Sequence, residues 1–311
     1  MNKTIQTLSA LLAFQLVLAG GIYFKSRHGG TSVGGESLVR LGPNDFDEVV
    51  ISEPGKPSVT LLKKSGQWIL PNRWDFPVAK EKISLTIDKL LDLKKTWPVG
   101  DSASARSRFK VSEDAHEKKM VFLLNGKEKR ALYLGTSPEY RKVHFRPSDQ
   151  DEVTLAEFGY HDLAMAPSDW EDKKFLSVDR NTLLQIDTPQ VQLVNKENGF
   201  QVGSLKPGEE GNPTEVDSLV SQVTNMTYVE LMGPAASPDF GLDKPDYTVT
   251  FRTKDGQTDV WEFAKGKKGE EYYLKTSRHP CIFKIAKSTM DALKTITRPK
   301  LTSVKTHPNP S

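Results

Sequence analysis

The chain has 311 residues, 43 of them basic and 40 acidic, for a formal charge of +3; hydrophobic residues make up 37% and charged ones 27%. That length accommodates two domains of ordinary size, each able to bury its own core. Its near-neutral balance argues against a nucleic-acid partner, which would need a concentrated basic surface to neutralise phosphate. The one cysteine, Cys281 in Pro280-Cys281-Ile282-Phe283, excludes an intramolecular disulfide and reads as a small buried hydrophobe rather than a reactive thiol.

Residues 5–24 form a run of 20 positions without a formal charge. A helix of that length rises about 30 Å, the thickness of the hydrocarbon layer, so residues 1–24 are expected to anchor the chain in membrane lipid. Lys3 with the terminal amine on one side and Lys25 with Arg27 on the other nearly balance, so flanking charge does not orient the segment. A short leader before a long polar body is the arrangement of a signal-anchor with an exported body. The competing expectation is a signal peptide cut after Ala19. The apolar run continues past that point through Ile22, Tyr23 and Phe24, which favours the uncleaved anchor. Gly21 stands where a lipoprotein would need its cysteine. Residues 25–44, with Gly29, Gly30, Gly34, Gly35 and Gly42 among Ser and Thr, read as a flexible stalk.

A first α+β repeat is expected over 45–160. Val49-Val50-Ile51, then residues 59–62, a Ser65-Gly66 turn and Trp68-Ile69-Leu70 suggest a small antiparallel meander. Trp74 follows in the polar loop Asn72-Arg73-Trp74-Asp75-Phe76. Ile83, Ile87, Leu90 and Leu91 fall at i, i+4, i+7 and i+8, one face of a helix. Strands over 119–124 and 130–134 flank Asn125-Gly126, and further strands are expected over 142–145 and 152–156.

Residues 161–180 are a connector holding Trp170 amid Asp169, Glu171 and Asp172. A second repeat over 181–296 then says nearly the same thing. Asn198-Gly199 recurs about 133 positions after Ser65-Gly66, and Asp255-Gly256 follows Asn125-Gly126 by 130. Val216, Leu219, Val220, Val223 and Met226 form the second helical stripe, with Pro213-Thr214-Glu215 as its start signal. Strands over 247–252, 260–263, 272–275 and 282–286 complete it. The tail, 297–311, is proline-rich with little apolar content and is expected to be disordered. The predicted fold is therefore α+β: two tandem duplicated modules of antiparallel strands, one main covering helix in each, behind an N-terminal transmembrane helix.

Three stretches belong together: Gly66-Gln67-Trp68-Ile69-Leu70-Pro71, Ser168-Asp169-Trp170-Glu171-Asp172-Lys173-Lys174-Phe175-Leu176, and Phe240-Gly241-Leu242-Asp243-Lys244-Pro245. With the amino-terminal anchor, the chain resembles the bacterial family described as a domain of unknown function, number 4340, over nearly the whole exported body. The resemblance implies an accessory found beside ABC-type transporter subunits and gliding-motility auxiliary proteins, and it brings no catalytic residues. Phe109-Lys110-Val111 stands where the second half has Phe240-Gly241-Leu242, so the second copy fits the family better. The implied location is the bacterial inner membrane, single pass, with the body in the periplasm.

A search for chemistry finds little. Glycines 30 to 35 lack the following Lys-Ser/Thr of a phosphate loop, and no Gly-x-Ser-x-Gly elbow is present. Asp149, Asp151 and Glu152 offer carboxylates for calcium, or for an envelope carbohydrate-active hydrolase, but lack the spacing of a calcium loop. The six histidines are scattered singly, and His161-Asp162 is the nearest approach to an acid-base pair. No metal or cofactor is expected. Trp68 and Trp261 read as core; Trp74, in its polar loop, is a candidate for a partner or ligand surface although a structural role is favoured, and Trp170 either pins the connector or joins such a surface. The favoured function is a non-enzymatic, membrane-anchored accessory or scaffold whose repeats bind a protein partner or an exported polymer. The alternatives are a carbohydrate-binding or carbohydrate-active protein of the envelope, with a glycan ligand, and a soluble ligand-binding protein released after Ala19.

Overall fold

The structure is a computed structural model and describes Gln15 and residues 37–304. Apart from Gln15, the expected membrane segment lies outside the described residues, as do most of the stalk and the end of the tail. Among the described residues no helix is long and apolar enough to cross a membrane.

The fold is α+β, built on antiparallel sheets. Strands β1 (Glu48–Ser52), β2 (Val59–Lys64), β3 (Gln67–Leu70) and β4 (Phe76–Pro77) lead into helix α1 (Lys80–Leu91). Strand β5 (Pro98–Gly100), the short helix α2 (Ala103–Arg108), β6 (Lys118–Leu124), β7 (Lys127–Leu134), β8 (Lys142–Pro147) and β9 (Val153–Glu157) follow. Beyond the connector come β10 (Leu183–Asp187), β11 (Gln192–Lys196), β12 (Gly199–Val202), β13 (Glu209–Gly211), helix α3 (Pro213–Thr224) and β14 (Glu230–Gly233). The chain continues through β15 (Tyr247–Thr253), β16 (Thr258–Lys265), β17 (Tyr272–Thr276), β18 (His279–Ile285), α4 (Lys287–Thr295), α5 (Arg298–Leu301) and β19 (Thr302–Val304). The described residues group into two compact units, one of 37–66 with 81–166 and one of 67–80 with 167–304.

In the first unit the strands run in the order β2-β1-β6-β7-β8-β9-β5. Val49 lies opposite Leu61 on one side and Phe122 on the other, and alternate residues of β1 and β6 point into the core, as a period of two requires. At Asn125-Gly126 both residues are left-handed (φ 52° and 71°), the conformation a two-residue hairpin demands and asparagine and glycine adopt at least cost. Helix α1 buries Ile83, Thr86, Ile87 and Leu90. This is the expected stripe with Leu91 turned partly outward.

In the second unit the order is β12-β11-β10-β15-β16-β17-β18-β14, with β13 and β19 forming a separate pair. Reading β10 and β11 for β1 and β2, β15 to β18 for β6 to β9, and β14 for β5 reproduces the order of the first unit. In both, a short strand after the main helix returns to pair with the last strand of the meander. Helix α3 starts where expected: the Asn212 side chain accepts from Glu215 N, Pro213 occupies the first turn, and Val216, Leu219, Val220 and Val223 are buried. The Asp255-Gly256 turn differs from its counterpart. Only the glycine has a positive φ (85°) there, and Thr253 N donates to Gln257 O, closing a longer loop.

Three boundaries differ from expectation. Within the expected stalk, Leu38 and Val39 are buried, Ser37 bridges to Lys94, and Leu38 N donates to Leu93 O, so 37–39 belong to the first unit's core. Two apolar residues are enough to dock a segment whose composition is otherwise that of a linker. In the expected disordered tail, Leu301 is fully buried in α5, Arg298 bonds Glu209 at 2.7 Å, and β19 pairs with β13. Finally, 67–80 group with the second unit, where Phe76 is fully buried among Phe175, Tyr228, His279 and Phe283 at centroid distances of 5.0 to 5.9 Å.

Candidate functional site

A 3-10 turn over Pro71–Arg73 delivers Trp74 and Asp75 in succession in the left-handed region, at φ 59° and 57°. Each such non-glycine residue costs about 1–2 kcal/mol, so the surroundings must impose the conformation. They do so from both ends. On the carboxyl side, Val78 bridges Glu171, Ala79 N donates to Trp170 O (2.8 Å) and Asp172 N donates to Pro77 O (2.9 Å), which makes the connector a strand partner for this segment. On the amino side, Arg73 is held by a buried carboxylate.

That carboxylate is Glu171, whose side chain is 1% exposed. Its Oε1 accepts from Arg73 Nη2 (2.7 Å) and Nε (3.2 Å), and its Oε2 accepts from Lys173 Nζ (2.8 Å) and the Tyr228 hydroxyl (3.2 Å). Arg73 Nη2 also donates to Leu231 O. Burial, and then the Glu171 charge, push the Tyr228 hydroxyl up. The Cys281 thiol is pushed up to about 11 by burial, with the positive charge of Arg73 opposing. Burial lowers the His279 imidazole against the opposing charge of Asp75.

The indole of Trp74 rests on Gly233. A Cβ there would lie 2.5 Å from Trp74 Cζ2, and Gly233 itself takes φ +86°, so glycine is required on both counts. The Arg73 guanidinium sits 5.0 Å from the ring centroid. Trp74 remains 41% exposed, a fixed aromatic platform beside a cation. One buried carboxylate is thus shared by two cations and a phenol, which ties Arg73, Lys173 and Tyr228 to a single point.

Of the two candidate tryptophans, Trp74 is at the surface, whereas Trp170 is fully buried, which removes it from a partner surface and fits its other expected role of pinning the connector. Its neighbour Glu171 is buried as well, paired with Arg73. Trp97, one of the five tryptophans and not singled out by the sequence, is the most exposed tryptophan among the described residues at 62%. With Leu85, Leu93, Val99, Lys142 and Leu155 it lines a groove of about 860 Å³ in the first unit. Its place in the polar run Lys94-Lys95-Thr96-Trp97-Pro98 was the available signal.

The three carboxylates considered for calcium or hydrolysis are drawn apart by separate cations: Asp149 by Arg130 (3.0 Å), Asp151 by Arg106 (2.7 Å) and Glu152 by Lys95 (2.5 Å). Among the described residues no group of three His, Cys, Asp or Glu is placed to hold a metal ion. His161 and Asp162 lie on a 3-10 turn, where Asp162 pairs with Lys89 (2.9 Å) and the buried Lys118 donates to the Leu163 and Tyr160 carbonyls.

A family model described as Domain of unknown function (DUF4340) matches residues 68–245. No curated protein and no solved structure matches the chain.

Proposed function

The chain belongs to the DUF4340 family, and from that premise we propose that it is a membrane-anchored, non-enzymatic accessory or scaffold of a bacterial envelope assembly related to ABC-type transport. Its two units are copies of one α+β module, made by tandem duplication, and they bind a protein partner or an exported polymer. The observation that carries the proposal is the strand order repeated from the first unit to the second. Copying a module in tandem sets two similar surfaces along one chain, which suits a protein that spaces its partners. The uncharged run over 5–24 is the anchor in the inner membrane, with the body in the periplasm. The Trp74 platform is the contact surface on the second unit, because a rigid, half-exposed indole flanked by Arg73 offers large contact area at little cost in side-chain entropy.

The experiment is recovery of partners through a carboxyl-terminal tag at native expression, in mild detergent, quantified by mass spectrometry against an untagged strain and a Trp74→Ala variant. Transporter ATPase and permease subunits are expected with the wild type and reduced with Trp74→Ala. Recovery of nothing from folded, membrane-bound protein would overturn the accessory role.

A further inference from the structure

Four large hydrophobic residues of the first unit are exposed among the described residues, and three of them, Leu85 (61%), Trp97 (62%) and Val99 (41%), line the one groove. Scattered apolar residues are ordinary on a surface, whereas a cluster calls for an occupant. Helix α1 supplies Leu85, and β5, at the end of the sheet, supplies Val99.

The chain itself enters the unit at the rim of this groove. Ser37 bridges Lys94, its Oγ donates to Leu91 O, and Leu38 N donates to Leu93 O; Leu93 and Lys94 are groove residues. Ser37 stands thirteen residues after Phe24, where the uncharged run ends. That many residues reach at most about 45 Å, which bounds the distance from the rim of the groove to the bilayer. Where 5–24 span a bilayer, the part of the unit tethered next to the lipid surface is therefore its apolar part. The charges on the groove, Asp88, Asp92 and Glu157 against Lys89, Lys94 and Lys142, balance in number. Attraction to anionic headgroups is thus weak, and a tryptophan with two aliphatic residues is the composition of an interfacial contact.

We infer that this groove is a lipid-docking face: Leu85, Trp97 and Val99 enter the headgroup layer of the membrane that anchors the chain. The inference rests on the anchor in the proposed function and adds the orientation of the first unit against its own bilayer.

The test uses the full chain reconstituted into phosphatidylethanolamine–phosphatidylglycerol vesicles, with a fluorophore on Leu85→Cys, Val99→Cys or, as control, Lys127→Cys. Lys127 is exposed at the opposite end of β7 from the loop that leads to Lys142, and the native Cys281 is fully buried and spared. Brominated lipid is expected to quench the labels at 85 and 99 roughly twofold more than the label at 127, with aqueous iodide showing the reverse order and salt having little effect. Equal quenching at all three positions in vesicle-bound protein would overturn the inference and leave the anchor standing. Shielding of 85 and 99 from iodide without quenching by lipid would also overturn it, in favour of a protein occupant. Protein that fails to sediment with the vesicles would refute the anchor, and the inference with it.

Discussion

Arg73 and Glu171, 98 positions apart, meet in an ion pair of 2.7 Å whose carboxylate is sealed from solvent. The pair joins the loop before the first main helix to the connector, and a tryptophan lies beside each partner. Trp74 follows the arginine outward, and Trp170 precedes the glutamate inward.

Breaking that pair is expected to destabilise the protein. Glu171→Ala removes the acceptor shared by Arg73, Lys173 and the Tyr228 hydroxyl and should cost about 3 kcal/mol, the lower end for a broken buried pair because both cations reach solvent and Arg73 and Tyr228 keep the Leu231 and Asp172 carbonyls. Glu171→Gln keeps the shape and should cost less. A urea midpoint unchanged by Glu171→Ala would show that the contact is dispensable.

Gly233→Ala places a methyl group inside the van der Waals envelope of Trp74 at a backbone angle that alanine resists. The expected loss is about 1–3 kcal/mol, with a red-shifted Trp74 emission as the ring lifts from its seat. In the Trp74→Ala background the same substitution should cost clearly less, since only the backbone strain remains. Additive costs would mean that the ring does not rest on the glycine.

His279 makes stability fall in acid. Burial lowers its imidazole below the ordinary 6.5, so below that value the unfolded chain binds a proton that the folded protein refuses. The contribution of the neutral ring is complete above 6.5 and is lost as the pH drops through the lower folded value. Urea midpoints measured from about pH 7.5 to about pH 5.5 should fall less steeply for His279→Phe than for the wild type. Parallel slopes would count against burial of the ring.

Cys281 should resist labelling. Its thiol is fully buried and pushed up to about 11 from the ordinary 9.0. Under native conditions at about pH 8 a thiol reagent should modify it only as fast as the second unit opens, and at once in urea. The shift is upward, so the stability linked to it is complete below 9.0 and disappears as the pH rises through about 11. Rapid native labelling would contradict the packing around β18.

Much of the fold was legible residue by residue. Helices α1 and α3 follow from their apolar spacing, and the β6–β7 and β15–β16 hairpins follow from Asn-Gly and Asp-Gly between alternating strands. Leu38 and Val39 were not legible, because two apolar residues in a run of Gly, Ser and Thr do not alter its composition enough to announce a core contact. Leu301 was hidden in the same way by its prolines. Of the site, Trp74 was legible from its polar loop, whereas its seat on Gly233 joins residues 159 positions apart and has no local signal.

What the sequence determined by itself is what depends on near neighbours: the periods of strands and helices, the turns between them, and a 20-residue run without charge. Those features arise from hydrogen-bonding and steric rules that act over a few residues. Only the tertiary structure decided that Glu171 turns inward, that Trp170 is core, that Trp97 is bare, and that 67–80 group with 167–304. The reason is desolvation. A charge can be buried only where a partner waits for it, and for Glu171 that partner, Arg73, is supplied from far along the chain.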